Sequence, residues 1–160
     1  MKLLIALIFY MLYWGICILG TGTDRKNAIG LRSYPDEVRA QVRSRLSVPR
    51  EKSLPVLLLS NLLLFTAVFS ALGLVLKHTL GFNGYWSAFW YFLALGEGLG
   101  VFDLVVIDLL WWRSTKRIRF SFLPEKAYYQ DPARHIGSFV RGIPLFAASA
   151  ALTAGIVTVL

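Results

Sequence analysis

Four stretches of this sequence are long and apolar enough to cross a lipid bilayer, and this feature limits the folds open to the chain. They are residues 3–20, 54–76, 85–112 and 143–160. A helix needs about 20 apolar residues to span the hydrocarbon core, and in lipid the backbone must satisfy its hydrogen bonds internally. Hydrophobic residues make up 56% of the chain, a share that is typical of membrane proteins. The sequence therefore predicts an all-α integral membrane protein, a four-helix bundle that forms one domain over residues 1–160.

The first stretch follows Lys2 and raises the question of a cleaved signal peptide. Tyr10, Tyr13 and Trp14 are unusual in such a peptide, and no small-x-small cleavage site follows. We therefore predict a retained transmembrane helix. Its Cys17 is the single cysteine, which excludes an internal disulfide and a thiolate zinc site. We expect no metal and no cofactor.

The fourth stretch is predicted to start as a helix near Ile143. Pro144 is tolerated in the first turn of a helix and disrupts later turns. Ala147, Ala151 and Gly155 follow at four-residue spacing, which predicts a packing face of small residues.

The two long loops, residues 21–53 and 113–142, are rich in basic residues. The first has eight basic residues against four acids, and the second has six between Arg113 and Arg134 against two acids. Short loops rich in Lys and Arg stay in the cytoplasm, so both loops are predicted to be cytoplasmic and both termini extracytoplasmic. The net charge of +8 flanks the apolar stretches, so we expect anionic lipid headgroups, and no nucleic acid, as the counter-charge.

Within the first loop, SYPDEVRAQVRSRL predicts a short cytoplasmic amphipathic helix. Ser33 is a candidate cap, and Val38, Val42 and Leu46 form an apolar stripe. Such a helix would lie on the headgroups or cover the end of the bundle, and the alternative is a solvated connecting helix. In the second loop, RIRFSF is compatible with a short strand or with an interfacial segment, and both interpretations stay open.

Three carboxylates, Glu97, Asp103 and Asp108, lie inside the third stretch. A charged group at the centre of a bilayer costs roughly 2.5 to 3.5 kcal/mol, so these groups need partners. With Asn61 of the second stretch they form the predicted intramembrane polar site. For Glu97, near the middle of the stretch, we favour a functional role, with a hydrogen bond to a neighbour such as Asn61 or a water-filled cavity beside it.

α-Helical geometry separates these carboxylates. Glu97 and Asp108 would share one face about 16 Å apart along the axis, whereas Asp103 would lie on a close-packing stripe with Gly96 and Gly100. A structural hydrogen-bonding role is therefore predicted for Asp103. Membrane phosphatidyltransferases hold divalent metal through aspartates four apart on a helix. Here the spacing is five, about 140° around an α-helix, and the companion Asp-Gly and Ala-Arg elements are missing.

Asp108 lies about one turn inside an aromatic and basic anchor, WWR, that ends at Arg113. We predict that it forms an ion pair with Arg141 or Arg113. The predicted cations at the cytoplasmic face are Arg113, Arg134, His135 and Arg141.

Four segments, GTGTDRKN, RSYPDEV, VIDLLWWR and TKRIRF, carry a resemblance to a known group of proteins. In these segments the chain resembles small uncharacterised four-helix integral membrane proteins of Gram-positive bacteria. The resemblance implies residence in a bacterial membrane and no particular activity.

Two functions stay open at this point. The first is a transport-related or partner-subunit role that uses Glu97, in a homo-oligomer or a larger membrane complex. The alternative is a membrane-embedded enzyme that acts on a lipid or amphiphilic substrate at the cytoplasmic leaflet through Asp108, His135 and Arg141. The chain contains no phosphate-binding loop, zinc motif or nucleophile elbow, which favours the first.

Overall fold

The computed structural model describes all 160 residues and contains helices without any β-strand, which confirms the predicted all-α class. The α-helices are α1 (Lys2–Leu19), α2 (Asp24–Ile29), α3 (Asp36–Arg45), α4 (Leu54–Val75), α5 (Lys77–Leu80), α6 (Tyr85–Phe102) and α7 (Ala133–Val159). A π-helix, Asp103–Trp112, continues α6 directly, and two short 3₁₀-helices cover Leu31–Ser33 and Lys126–Tyr129.

Three helices, and not the predicted four, are long and apolar enough to cross a membrane by length and composition. They are α1, α4 and the helix that ends at Val159. The third predicted stretch is helical from Tyr85 to Trp112 as expected. Its α-helical part, α6, is not among them, because Glu97, several glycines and the Tyr and Trp side chains lower its mean hydropathy.

Helix α7 starts at Ala133, well before the predicted start near Ile143, and Pro144 lies inside it. The start signal is Asp131-Pro132. The Asp131 carboxylate accepts a 2.9 Å hydrogen bond from the backbone N–H of Ala133, and the carbonyl of Pro132 accepts the first helical hydrogen bond, from the N–H of Ile136. The interpretation of Pro144 as a first-turn residue was therefore wrong.

The chain forms two compact units. The first contains residues 1–7, 52–101 and 140–160, and the second contains residues 8–51 and 102–139.

In the first unit, glycines allow close approach between helices. A Cβ on Gly96 would lie 2.9 Å from Cδ1 of Phe146, so the predicted packing role of Gly96 is confirmed. A Cβ on Gly155 would meet nothing within 4 Å, so the predicted face through Gly155 is wrong. The buried face of α7 is a neighbouring one that contains Phe146, whose ring packs on Gly96. Its residues are Phe146, Ser149, Ala150, Thr153, Ala154 and Val157.

In the second unit, the two long loops share one hydrophobic core, here called the loop core. It consists of Ala28, Leu31, Tyr34, Val38, Val42, Ile118, Phe120, Leu123 and Tyr129. Val38 and Val42 are fully buried in it, so the amphipathic stripe of α3 is confirmed, and it faces protein. The predicted cap was wrong: Ser33 ends a 3₁₀-helix, and α3 begins after Pro35 with no side-chain cap.

The segment RIRFSF is a tight turn that enters the loop core. Phe120 forms an isolated antiparallel bridge with Leu123, and no continuous strand follows. The backbone carbonyl of Arg117 accepts a 3.0 Å hydrogen bond from Nδ2 of Asn27. The Arg117 guanidinium passes Gly22, whose φ of +108° and lack of a Cβ make room for it, and donates to the carbonyl of Ile18 at the end of α1. The turn therefore joins the second loop to the first.

Candidate functional site

The π-helix changes the geometry that an α-helix would give the two aspartates. Each N–H of a π-helix bonds the carbonyl five residues back, so residues five apart lie on one face. Asp103 and Asp108 are five apart, and both line the same cavity. The α-helical separation of about 140° was therefore wrong for this pair. π-Helical turns inside α-helices are rare and often occur at functional sites.

The cavity belongs to the second unit and has a volume of about 270 Å³. Its walls come from the end of α1, the residues that follow it, the π-helix and the start of α7. The lining residues are Tyr13, Cys17, Gly20, Thr21, Ser33, Asp103, Ile107, Asp108, Trp111, Trp112, His135 and Ser138. Most of them carry a polar or ionisable group, which is unusual for residues between apolar helical segments.

The central contact of the cavity joins Asp108 to His135. Nδ1 of His135 lies 2.9 Å from Oδ1 of Asp108, with side-chain exposures of 6% and 14%. The Trp112 ring packs edge-on against the imidazole at a centroid distance of 5.3 Å. Because Nδ1 faces the carboxylate, Nε2 is the ring nitrogen left for a ligand.

The partner of Asp108 differs from the prediction. An ion pair with Arg141 or Arg113 was expected, and the structure pairs the carboxylate with His135. The physical reason is the early start of α7, which puts His135 in the first turn of the helix, where the loop had been expected.

Helix α1 contributes two residues that sequence reasoning missed. The Tyr13 hydroxyl lies within hydrogen-bonding reach of the Asp103 carboxylate, and Cys17 lines the cavity one turn later. At the level of sequence, Tyr13 counted only as a sign against a signal peptide, and Cys17 only excluded a disulfide and a thiolate zinc site. The i, i+4 spacing of these two polar-tipped residues on one helix face was the available signal.

The ionisable groups of the cavity are mainly acidic. Asp103 and Asp108 are its two carboxylates, His135 is its one imidazole, and no Lys or Arg lines it. Across the whole chain, no group of three or more His, Cys, Asp or Glu side chains is arranged to hold a metal ion.

The other predicted site residues lie outside this cavity. Glu97 and Asn61 are half-buried in the first unit, and the predicted hydrogen bond between them is not formed. Arg134 forms an ion pair with Asp36, and the backbone carbonyl of Arg113 accepts a hydrogen bond from Gln130. Arg141 is exposed. The structure thus brings together three of the predicted residues, Asp103, Asp108 and His135.

Ion pairs join α3 to the segment that follows it. Glu51 accepts hydrogen bonds of 3.0 Å from Arg39 and 2.7 Å from Arg43. Burial alone would raise the pKa of Glu51, but the two guanidinium groups outweigh it and lower that pKa below its ordinary value. A hydrogen bond from Arg134 likewise lowers the pKa of Asp36.

Comparison of the chain with protein families, curated proteins and solved structures gave no match. The resemblance to small bacterial four-helix membrane proteins therefore stays a prediction, and the functional argument depends on the cavity itself.

Proposed function

We propose that this protein is a multi-pass membrane protein that binds the polar end of an amphiphilic molecule in the Asp108–His135 cavity. The pair then acts as a general base and general acid in a reaction at that polar end. The observation that supports this proposal is a nearly buried carboxylate–imidazole pair in the wall of a polar cavity. Of the two functions that the sequence leaves open, this is the membrane-embedded enzyme.

The chemistry follows from the orientation of the imidazole. Asp108 accepts a hydrogen bond from the Nδ1–H group of His135, so the proton stays on Nδ1. The lone pair of Nε2 is then available to act as a general base. When Nε2 takes a proton, the adjacent carboxylate stabilises the imidazolium ion that forms. A positioned acid–base group of this kind contributes about 10²- to 10⁴-fold to a reaction rate.

The size of the cavity favours a headgroup as the bound part. Its volume of about 270 Å³ is below the roughly 300 to 1,000 Å³ of sites that enclose a drug-sized ligand. A whole lipid does not fit, so the acyl chains of such a substrate would stay in the bilayer.

The topology that we propose has both long loops in the cytoplasm, in a cell membrane, with both termini outside. Because the two loops share the loop core, the chain that leaves it before α4 must return to it after residue 112. Helix α4 carries the chain across, so the segment Tyr85–Trp112 is the return crossing despite its lower hydropathy. The excess of Lys and Arg in both loops favours the cytoplasmic side and contact with anionic headgroups.

Lipid turnover by the purified protein tests the proposed activity. The full-length chain is incubated in nanodiscs with lipids extracted from native membranes, and headgroup changes are followed by mass spectrometry. We expect a conversion that falls at least about 100-fold in His135→Asn and in Asp108→Asn. Asp131→Asn is the matched control, because asparagine keeps the helix cap and lies outside the cavity. Absence of conversion, or equal conversion in all four proteins, would contradict the proposal.

A second candidate function, transport or a role as partner subunit, is supported by Glu97. This half-buried carboxylate lies outside the cavity, between Gly96 and Gly98 on α6. Under this alternative, Glu97→Gln keeps the fold and abolishes the activity of the assembly, and a second copy or another membrane protein co-purifies with the chain. Under the cavity proposal, Glu97→Gln leaves lipid turnover unchanged.

A further inference from the structure

We infer that the cavity recognises a small organic ammonium group, either on a lipid headgroup or on a free amine. This inference rests on the proposed function for the location of the site and adds the chemical class of the ligand. It is argued from the charge, the hydrogen-bonding groups and the aromatic wall of the cavity.

The charge of the wall selects a cation. Asp103 and Asp108 both line the cavity, and no Lys or Arg does. The wall offers two carboxylates and no permanent cation, so it favours a cation over an anion. A phosphate or carboxylate ligand would meet the two aspartates without a permanent cation to offset them.

The hydrogen-bonding groups match an ammonium ion. An ammonium group has three N–H donors, and the aspartate oxygens and the neutral Nε2 of His135 are acceptors. His135 is only 6% exposed, and its Nδ1 faces Asp108, so Nε2 is the ring nitrogen that a ligand in the cavity would meet.

The aromatic wall also favours an organic cation over a metal ion. Trp111 and Trp112 line the cavity, and the face of an indole ring attracts an ammonium group. A divalent metal would need further oxygen or nitrogen ligands, and the chain offers no cluster of three.

Two binding experiments test the inference, the first by calorimetric titration and the second by thermal unfolding. The full-length protein is placed in nanodiscs of phosphatidylglycerol, which carries no amine. In one arm ethanolamine is titrated into these discs. In the other arm phosphatidylethanolamine replaces an increasing fraction of the lipid, and protection of the protein against thermal unfolding is measured. Saturation in the first arm alone identifies a free amine, and saturation in the second alone identifies a lipid headgroup.

Variants of Asp103 connect the binding to the cavity. We expect Asp103→Asn to weaken amine binding at least about tenfold, because it removes one charge-assisted hydrogen bond. Asp103→Glu keeps the charge and should stay within a few-fold of wild type, and the control Asp131→Asn should not change the affinity. The inference is overturned by no saturation in either arm, by equal affinity in wild type and Asp103→Asn, by equal loss in Asp103→Asn and Asp103→Glu, or by Mg²⁺ displacing the amine.

The two proposals can fail separately. If the amine binds through Asp103 and His135→Asn leaves lipid turnover unchanged, proton transfer is wrong and the ligand class stands. If turnover requires His135 but acts on an amine-free lipid, and no amine binds, the ligand class alone is wrong.

Discussion

The hydroxyl group of Tyr34 donates a 2.7 Å hydrogen bond to the backbone carbonyl of Ile118, which lies 84 residues further along the chain. Both residues are fully buried in the loop core, so this bond joins the two long loops. Burial, together with the nearby Tyr129 and Asp24, raises the pKa of Tyr34. The hydroxyl therefore keeps its proton and remains a donor.

Replacing Tyr34 with phenylalanine tests the contribution of this bond. The substitution keeps the ring and leaves the Ile118 carbonyl buried without a partner, so the free energy of unfolding should fall by about 1 to 3 kcal/mol. Unfolding in detergent, followed by circular dichroism, measures the change. Tyr128→Phe is the control, because Tyr128 is only half-buried and its hydroxyl forms no hydrogen bond. Equal losses in the two variants would contradict the prediction.

Two glycine substitutions test helix packing in the first unit. Gly96→Ala places a methyl group 2.9 Å from the Phe146 ring and should destabilise the protein by about 1 to 3 kcal/mol. Gly155→Ala meets nothing within 4 Å and should be neutral or stabilising by up to about 1 kcal/mol, because alanine favours the helix. Thermal unfolding in the same detergent compares them, and a stable Gly96→Ala protein would rule out this packing.

A double-mutant cycle tests the partner of Asp108. Asp108→Asn and His135→Gln should be coupled by about 0.5 to 3 kcal/mol in unfolding free energy, because the side chains are in contact. The parallel cycle of Asp108→Asn with Arg141→Gln should be additive within about 0.5 kcal/mol. The reverse result would restore the ion pair that the sequence predicts.

The ion pairs of Glu51 predict how stability depends on pH. Because the folded-state pKa of Glu51 is lowered, its contribution is fully present above the unfolded value of about 4.3 and is lost as the pH falls through the folded pKa. The melting temperature of Glu51→Gln should therefore lie below that of wild type at pH 7, and the gap should close towards pH 3. Glu125→Gln, at an exposed position without an ion pair, should show no such gap. A gap that stays constant with pH would exclude this role of Glu51.

Cysteine labelling of intact cells tests the proposed topology. In a Cys17→Ala background, cysteines at Ser47 and Glu125 should be protected from an impermeant reagent, and a cysteine at Asn83 should react. All three positions are exposed on the protein surface, so protection reports the membrane side. Reaction at Ser47 without reaction at Asn83 would reverse the topology, and opposite results at Ser47 and Glu125 would exclude a shared loop core.

Regular patterns could be predicted from the sequence. Val38 and Val42 recur at the helical period, and both are buried as that period requires. Gly96 was assigned to a close helix contact because small residues allow backbones to approach, and Phe146 fills that space.

The cavity could not be predicted, for two physical reasons. Asp103 and Asp108 share a wall only because their helix is π-helical, and the sequence was interpreted with α-helical geometry. Tyr13 and Cys17 lie in an apolar helix, α1, whose exposed and partly buried positions have similar composition, and the groups that they meet are far away in the chain. His135 became a partner of Asp108 because the Asp131-Pro132 start of α7 had been overlooked.

The loop core has a consequence for the biosynthesis of the protein. Tyr34 leaves the ribosome 84 residues before Ile118, an interval of roughly 4 to 17 s at about 5 to 20 residues per second. In the proposed topology, α4 and α6 are made and inserted during that time, while the apolar stripe of α3 has no protein partner. The two halves of the core meet only when the chain has returned to the side it left. Closure of the loop core therefore depends on correct insertion. A chain that fails to return leaves Val38 and Val42 exposed, and proteases and chaperones recognise such exposed apolar residues.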